Sequence, residues 1–124
     1  MRRDMDLCRD ILLSLEDAPF GPGAVKVEIN GKTEEEISYH LMLLDQAGLV
    51  DAKDVSKSTQ NMKWRANFLT WNGHEFLEAS RNQGIWDQTK KVFADKSVGI
   101  SFEILKTLLI EYGKKLVLGN GTCP

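Results

Sequence analysis

The stretch Thr33-Glu-Glu-Glu-Ile-Ser-Tyr-His-Leu-Met-Leu-Leu-Asp-Gln-Ala-Gly-Leu-Val50 constrains the fold more than any other, because local chemistry marks both ends of one helix. Thr33 and Glu36 have the spacing of a capping box, in which hydroxyl and carboxylate each accept a backbone N–H that the helix leaves orphaned. Ile37, Leu41 and Leu44 recur at helical spacing. Gly48 stands where a left-handed residue ends a helix, with Leu49 folding back on the last turn. The chain then leaves the helix directly into an extended segment.

Periodicity supplies the neighbours. Met5, Cys8, Ile11, Leu12 and Leu15 form one apolar stripe over residues 4–16 and predict a first helix. Pro19, Gly21, Pro22 and Gly23 cannot continue it and predict a loop. Val25, Val27 and Ile29 alternate with Lys26 and Glu28, predicting a short strand, and Asn30-Gly31 predicts a turn. Residues 49–55 and 62–69 read as a two-stranded hairpin with a polar tip at 56–61. In the second strand Trp64, Ala66 and Phe68 alternate with Lys63, Arg65 and Asn67, an apolar inner face and a basic outer one. Thr70 is placed to cap a helix running to about Arg81 and burying Trp71, Phe76 and Leu77, and residues 82–84 break it. Two further helices are expected, over 85–95 with Trp86, Thr89, Val92 and Phe93, and over 101–117 with Phe102, Leu105, Leu109, Tyr112 and Leu116.

The order helix, strand, helix, hairpin and three helices predicts an α+β fold of the winged-helix type, with a small sheet and additional C-terminal helices. Where a helix-turn-helix has its second helix, this chain offers a loop and a strand. The expected division is a winged-helix domain over 1–83, a helical extension over 84–117 that packs on it or dimerises, and a flexible tail over 118–124.

Composition narrows the function classes. The net charge of -2 gives no bulk attraction to a polyanion, so any nucleic-acid contact must be local. No segment approaches the ~18 apolar residues of a membrane span, and Met1-Arg-Arg-Asp-Met-Asp6 leads into an amphipathic pattern rather than a signal peptide, so the expected compartment is the cytoplasm, with no membrane partner. Cys8 reads as a small core residue and Cys123 as an exposed thiol, and neither has the spacing of a zinc or redox pair. His74-Glu75 lacks the second histidine of a zinc-protease helix, since position 78 is Glu78, and Gly21-Pro-Gly23 lacks the lysine of a phosphate loop. No catalytic set, metal or cofactor is expected, and the chain does not read as an enzyme.

The phrases Arg3-Asp-Met-Asp-Leu7, Glu35-Glu-Ile-Ser-Tyr-His-Leu41 with Ala47-Gly-Leu49, and Leu69-Thr-Trp-Asn-Gly-His-Glu-Phe-Leu77 resemble the bacterial and phage domain-of-unknown-function family 2513. The resemblance runs through most of the chain, leaving only residues from about Leu118 outside. It implies a winged-helix fold and a setting in bacterial chromosomes and prophages, with no activity and no catalytic residue to carry over. The phrase Leu-Thr-x-x-Gly-x-x-Phe-Leu also follows the wing in other winged-helix regulators.

Two functional readings follow. In the first, the chain is a regulator binding double-stranded DNA through Ser38, Tyr39 and His40 of the capped helix and Lys53, Lys57, Lys63 and Arg65 of the hairpin. Glu34, Glu35 and Glu36 suit the helix macrodipole but meet phosphate badly, which favours the second reading, a winged helix recruited to bind a protein partner. Tyr39 and His40, taken as surface residues, are expected to tolerate substitution without loss of folding. Trp64, Trp71 and Trp86 are read as core. The stripe of Phe102, Leu105, Leu109, Tyr112 and Leu116, together with Ile104, Leu108 and Ile110, is more apolar surface than one packing face needs and predicts a homodimer through the last helix.

Overall fold

A computed structural model describes residues 1–19, 24–57, 61–95 and 101–119. The elements are α1 (Met5–Asp17), α2 (Glu34–Gln46), β1 (Val50–Asp54), β2 (Trp64–Leu69), α3 (Trp71–Ser80), α4 (Gln83–Asp95) and α5 (Phe102–Lys114), the last continued by a π-helical segment, Lys115–Gly119. Among the described residues this is an α+β chain with five α-helices and one two-stranded antiparallel sheet. It divides into two compact units, Met1–Leu77 and Glu78–Pro124, so the boundary falls inside α3 rather than after residue 83. Positions 20–23 of the expected loop, 58–60 of the hairpin tip, 120–124 of the expected tail and with them Cys123 lie outside the described residues.

In the first unit, both ends of α2 form as local chemistry dictates. The Thr33 hydroxyl accepts the Glu36 N–H and the Glu36 carboxylate accepts the Thr33 N–H, each at 3.1 Å. At the other end Gly48 has φ 77°, its N–H donates to the Asp45 carbonyl, and the Leu49 N–H reaches back to the Leu44 carbonyl, both at 3.0 Å. This is the paired Schellman pattern, and Leu44 and Leu49 are buried beside it. Helix α1 is capped by Asp4, whose carboxylate accepts the N–H groups of Asp6 and Leu7. It packs on α2 and β2 while α2 packs on both strands, giving a core that includes Leu7, Ile11, Leu12, Leu41, Val50 and Ala66.

The expected strand over 25–29 reduces to one antiparallel bridge, in which Val25 and Ala66 exchange both backbone hydrogen bonds at 2.7 and 3.0 Å. The alternation read from sequence persists, with Val27 buried and Lys26 and Glu28 exposed. Lys32 N–H then closes the Asn30-Gly31 turn on the Ile29 carbonyl, with Gly31 at φ 81°.

Strand β2 departs from its predicted faces. Val50 pairs with Leu69 and Asp51 with Phe68, but Ala52 pairs with Ala66, so Asn67 is an extra residue and its side chain donates to the Asp51 carboxylate at 2.8 Å. A bulge shifts the inward parity by one residue. Ala66 and Leu69 are therefore buried, and Phe68, expected inside, is 45% exposed.

The turn from β2 into α3 locks onto the end of α2. Thr70 caps α3 by accepting the Gly73 N–H, its hydroxyl donates to the Gly48 carbonyl, and its own N–H donates to the Leu49 carbonyl. Gly73 passes so close to Leu49 that a Cβ there would overlap the Leu49 carbonyl oxygen and stand 3.0 Å from its carbon. The phrase Leu-Thr-x-x-Gly-x-x-Phe-Leu thus has a physical reading: buried Leu69, the Thr70 cap, the Gly73 approach, and buried Phe76 and Leu77. Trp71 is not core; at the first turn of α3 it is 80% exposed, with its indole N–H on Glu75. Of the other tryptophans, Trp86 is fully buried and Trp64 half-buried.

In the second unit the expected break at 82–84 is a helix start, because the Asn82 side chain accepts the Ile85 N–H at 2.9 Å. Helix α4 buries Trp86, Thr89 and Phe93 and packs with α5. In α5, Leu105 and Leu109 are buried within the chain, Phe102 and Tyr112 half-buried, and Leu116 is 51% exposed in the π-helical segment. Of the stripe read as a dimer interface, Leu105 and Leu109 are thus buried within one chain, while Leu116 is exposed together with Ile104 and Ile110.

Candidate nucleic-acid interface

The three α2 residues proposed for base contact part company. Ser38 is buried and its hydroxyl accepts the Trp64 N–H at 3.0 Å, tying α2 to β2. His40 is also buried. Its Nε2 accepts the Asp4 N–H at 2.8 Å, so that nitrogen carries no proton, and Nδ1 donates to the Glu36 carbonyl at 2.8 Å. Neither side chain presents a group to a base edge, which corrects their assignment to the DNA-reading set and the expectation that His40 is freely replaceable. Both polar residues sit beside the Ile37, Leu41 and Leu44 stripe because α2 is covered by α1 and by the sheet together. Tyr39 is half-exposed, with its ring edge-on to His40. The outward side of α2 otherwise carries Glu35, Asp45 and Gln46, which is no basic surface.

The acidic first turn of α2 is largely occupied internally. Glu36 belongs to the capping box. Glu34 Oε2 is shut from solvent between the Arg65 guanidinium at 3.4 Å and the Lys26 ammonium at 3.6 Å, held by charge without a hydrogen bond. Arg65, expected at a phosphate, is half-buried in that contact and also donates to the Trp64 carbonyl. Only Glu35 of the three glutamates is both exposed and outside these contacts.

The hairpin keeps the other basic residues free. Lys53, Lys57 and Lys63 are exposed, and no salt bridge among the described residues engages them. Asp54 is the carboxylate among them. Hydrogen bonds from the Ser56 side chain and backbone N–H, the latter at 2.8 Å, hold its pKa below the ordinary value, so it stays ionised. Ser56 also closes the hairpin end, with its Oγ accepting the Lys63 N–H at 2.8 Å and the Val55 N–H donating to the Lys63 carbonyl at 2.8 Å. The lysines thus project from a hydrogen-bonded ribbon.

Two features have no counterpart in the sequence reading. The Glu34 clamp joins residues from three segments, and no local pattern announces it. A groove of about 290 Å³, lined by Leu15, Pro19, Val25, Phe68, Leu69 and His74 among others, lies in the first unit. No group of three or more His, Cys, Asp or Glu among the described residues could hold a metal ion, and no helix among them is long and apolar enough to cross a membrane.

Fold and site thus describe a small α+β protein whose hairpin exposes Lys53, Lys57 and Lys63. Residues 2–99 match the family described as Hypothetical protein (DUF2513), and the chain belongs to that family. The match stops before α5, short of the extent the sequence phrases suggest. A relative from Haemophilus influenzae strain Rd, described as an uncharacterized protein, is 39% identical over 107 residues, 86% of this chain and 90% of the relative. No solved structure matches.

Proposed function

We propose that the chain is a winged-helix protein that binds double-stranded DNA in bacterial or prophage gene regulation, with the hairpin as the phosphate contact, and that it works as a homodimer in the cytoplasm. The observation that carries the reading is the contrast between Lys53, Lys57 and Lys63, exposed and without ion pairs, and Glu34 and Glu36, occupied within the fold. The winged-helix likeness rests on α1, the Val25 bridge, α2 and the β1–β2 hairpin in that order, with the bridge on the far side of β2 from β1. Contact by the hairpin rather than by α2 makes binding chiefly electrostatic and weakly dependent on base sequence.

The test is fluorescence anisotropy of a labelled duplex of mixed sequence across a salt series. Charge reversal at Lys53, Lys57 and Lys63 should abolish binding at low salt, and each single neutral substitution should flatten the log–log salt slope by about one unit. Binding unmoved by all three reversals rejects the hairpin as the contact. Absence of binding by the unmodified chain at low salt rejects the DNA reading. A protein-binding module then stands in its place, favoured by exposed Trp71 and Phe68, the latter lining the groove.

A further inference from the structure

Asparagine is followed by glycine at 30–31, 72–73 and 120–121. Such a pair carries a latent reaction, because the glycine nitrogen can attack the asparagine side-chain amide carbon and glycine has no Cβ to obstruct the five-membered ring. The reaction needs both groups free. The pair at 120–121 lies outside the described residues, and the other two stand in opposite surroundings.

Asn30 and Gly31 are both exposed. Among the described residues no hydrogen bond engages the Asn30 side chain or the Gly31 N–H, and the turn is closed by the one bond from the Lys32 N–H to the Ile29 carbonyl at 3.1 Å. Gly31 takes the left-handed φ that the third position of such a turn requires, and a Cβ there would meet nothing within 4 Å, so the space for ring closure is open. At the second pair Asn72 is exposed, but Gly73 is buried, its N–H donates to the Thr70 hydroxyl at 3.1 Å, and the Leu49 carbonyl stands against it. Attack there requires the cap to break and the first turn of α3 to open. Asn67 and Asn82 hold side-chain hydrogen bonds and precede Phe68 and Gln83, not glycine.

We propose that Asn30 is a site of self-modification, with water as the co-reactant. The Gly31 nitrogen bonds to the Asn30 Cγ, the Cγ–Nδ2 bond breaks, and the side-chain nitrogen leaves as ammonia with the proton that Gly31 gives up. Water then opens the succinimide at one of its two carbonyls, yielding aspartate or isoaspartate. Either product makes the net charge of -2 one unit more negative. Isoaspartate also inserts one carbon into the main chain between Ile29 and Lys32, where the turn bond depends on spacing. The change falls where two helices begin, since Lys32 reaches the α1 cap Asp4 at 3.5 Å and Thr33 caps α2.

The test is incubation of the full folded chain in buffers of rising pH, followed by peptide mass mapping and labelling with an isoaspartyl methyltransferase. An acidic species should accumulate faster as pH rises, because the attacking nitrogen must lose its proton, and should map to position 30. Position 72 should be modified about tenfold less or lower still, since its cap must open first, and in urea the two should react alike. Asn30→Gln, whose longer side chain would have to close a larger ring, should abolish the position-30 product while circular dichroism shows an unchanged fold. Asn30→Asp adds the charge without lengthening the chain, so its Lys32 amide should stay protected from hydrogen exchange while that of the isoaspartate form does not. Equal modification at 30 and 72 in the folded chain, product confined to 120–121, or equal Lys32 protection in both forms overturns the inference.

Discussion

Replacing Gly73 with alanine should destabilise the protein, although alanine is the better helix former. The substitution puts a methyl group into the Leu49 carbonyl, backbone that cannot swing aside as a side-chain end could. Overpacking of this kind costs ~1–3 kcal/mol. Relief by separating α3 from the α2–β1 corner would stretch the Thr70 bonds to Gly48 and Leu49, worth ~0.5–1.5 kcal/mol each. The helix-propensity gain of ~1 kcal/mol offsets part of this. The net expectation is a loss of about 2–4 kcal/mol, or a fall in Tm of roughly 8–16 °C at about 4 °C per kcal/mol. Gly113 in α5 is the control, since a Cβ there meets nothing within 4 Å and its φ is not left-handed, so Gly113→Ala should gain ~0.5–1 kcal/mol. Thermal melts of both variants decide the matter. A Gly73→Ala protein melting at or above the parent temperature would refute the close approach and, with it, the reading of the Leu-Thr-x-x-Gly phrase as a packing device.

His40→Ala should lower stability by ~1–3 kcal/mol in chemical denaturation, because it leaves the Asp4 N–H and the Glu36 carbonyl without their buried partner; an unchanged midpoint would return His40 to the surface. Cys8 carries a pH signature: burial, the largest influence, pushes its thiol from an ordinary 9.0 up to about 12. A raised thiol pKa stabilises the fold fully below pH 9 and loses that contribution as pH rises toward 12, since only the unfolded chain ionises in that window. In a Cys123→Ser background, stability relative to Cys8→Ala should fall by ~2 kcal/mol between pH 8 and pH 10.5, and a constant difference would contradict the burial.

What the sequence makes legible is what neighbouring residues decide among themselves. Thr33, Glu36, Gly48 and Leu49 act within one helix, and each forms the bond its spacing predicts. Asn82 also acts locally, but a residue that stops one helix can cap the next, and the sequence reading took only the first of these roles. The bulge at Asn67 was hidden because its partner, Asp51, lies on another strand, and a single inserted residue exchanged the places of Phe68 and Leu69. Ser38 and His40 were misplaced for a related reason. A polar residue beside an apolar stripe reads as surface unless a partner awaits it, and theirs are supplied by Trp64 and Asp4, 26 and 36 residues away.

The charges show the same distinction in its most consequential form. By count, the acidic turn of α2 argues against a polyanion and the net charge of -2 offers nothing in its favour. By placement, Glu34 is held between Lys26 and Arg65, Glu36 is held by Thr33, and Lys53, Lys57 and Lys63 keep their charges for solvent. Arg65 moves the opposite way, out of the contact set and into the scaffold, because its ion pair joins β2 to the start of α2. A partner meets charges not already engaged inside the chain, so the field that matters is the residue left after internal pairing. On this protein that residue is positive along the hairpin and mixed in sign along α5. The hairpin is the face on which a polyanion would find a complement.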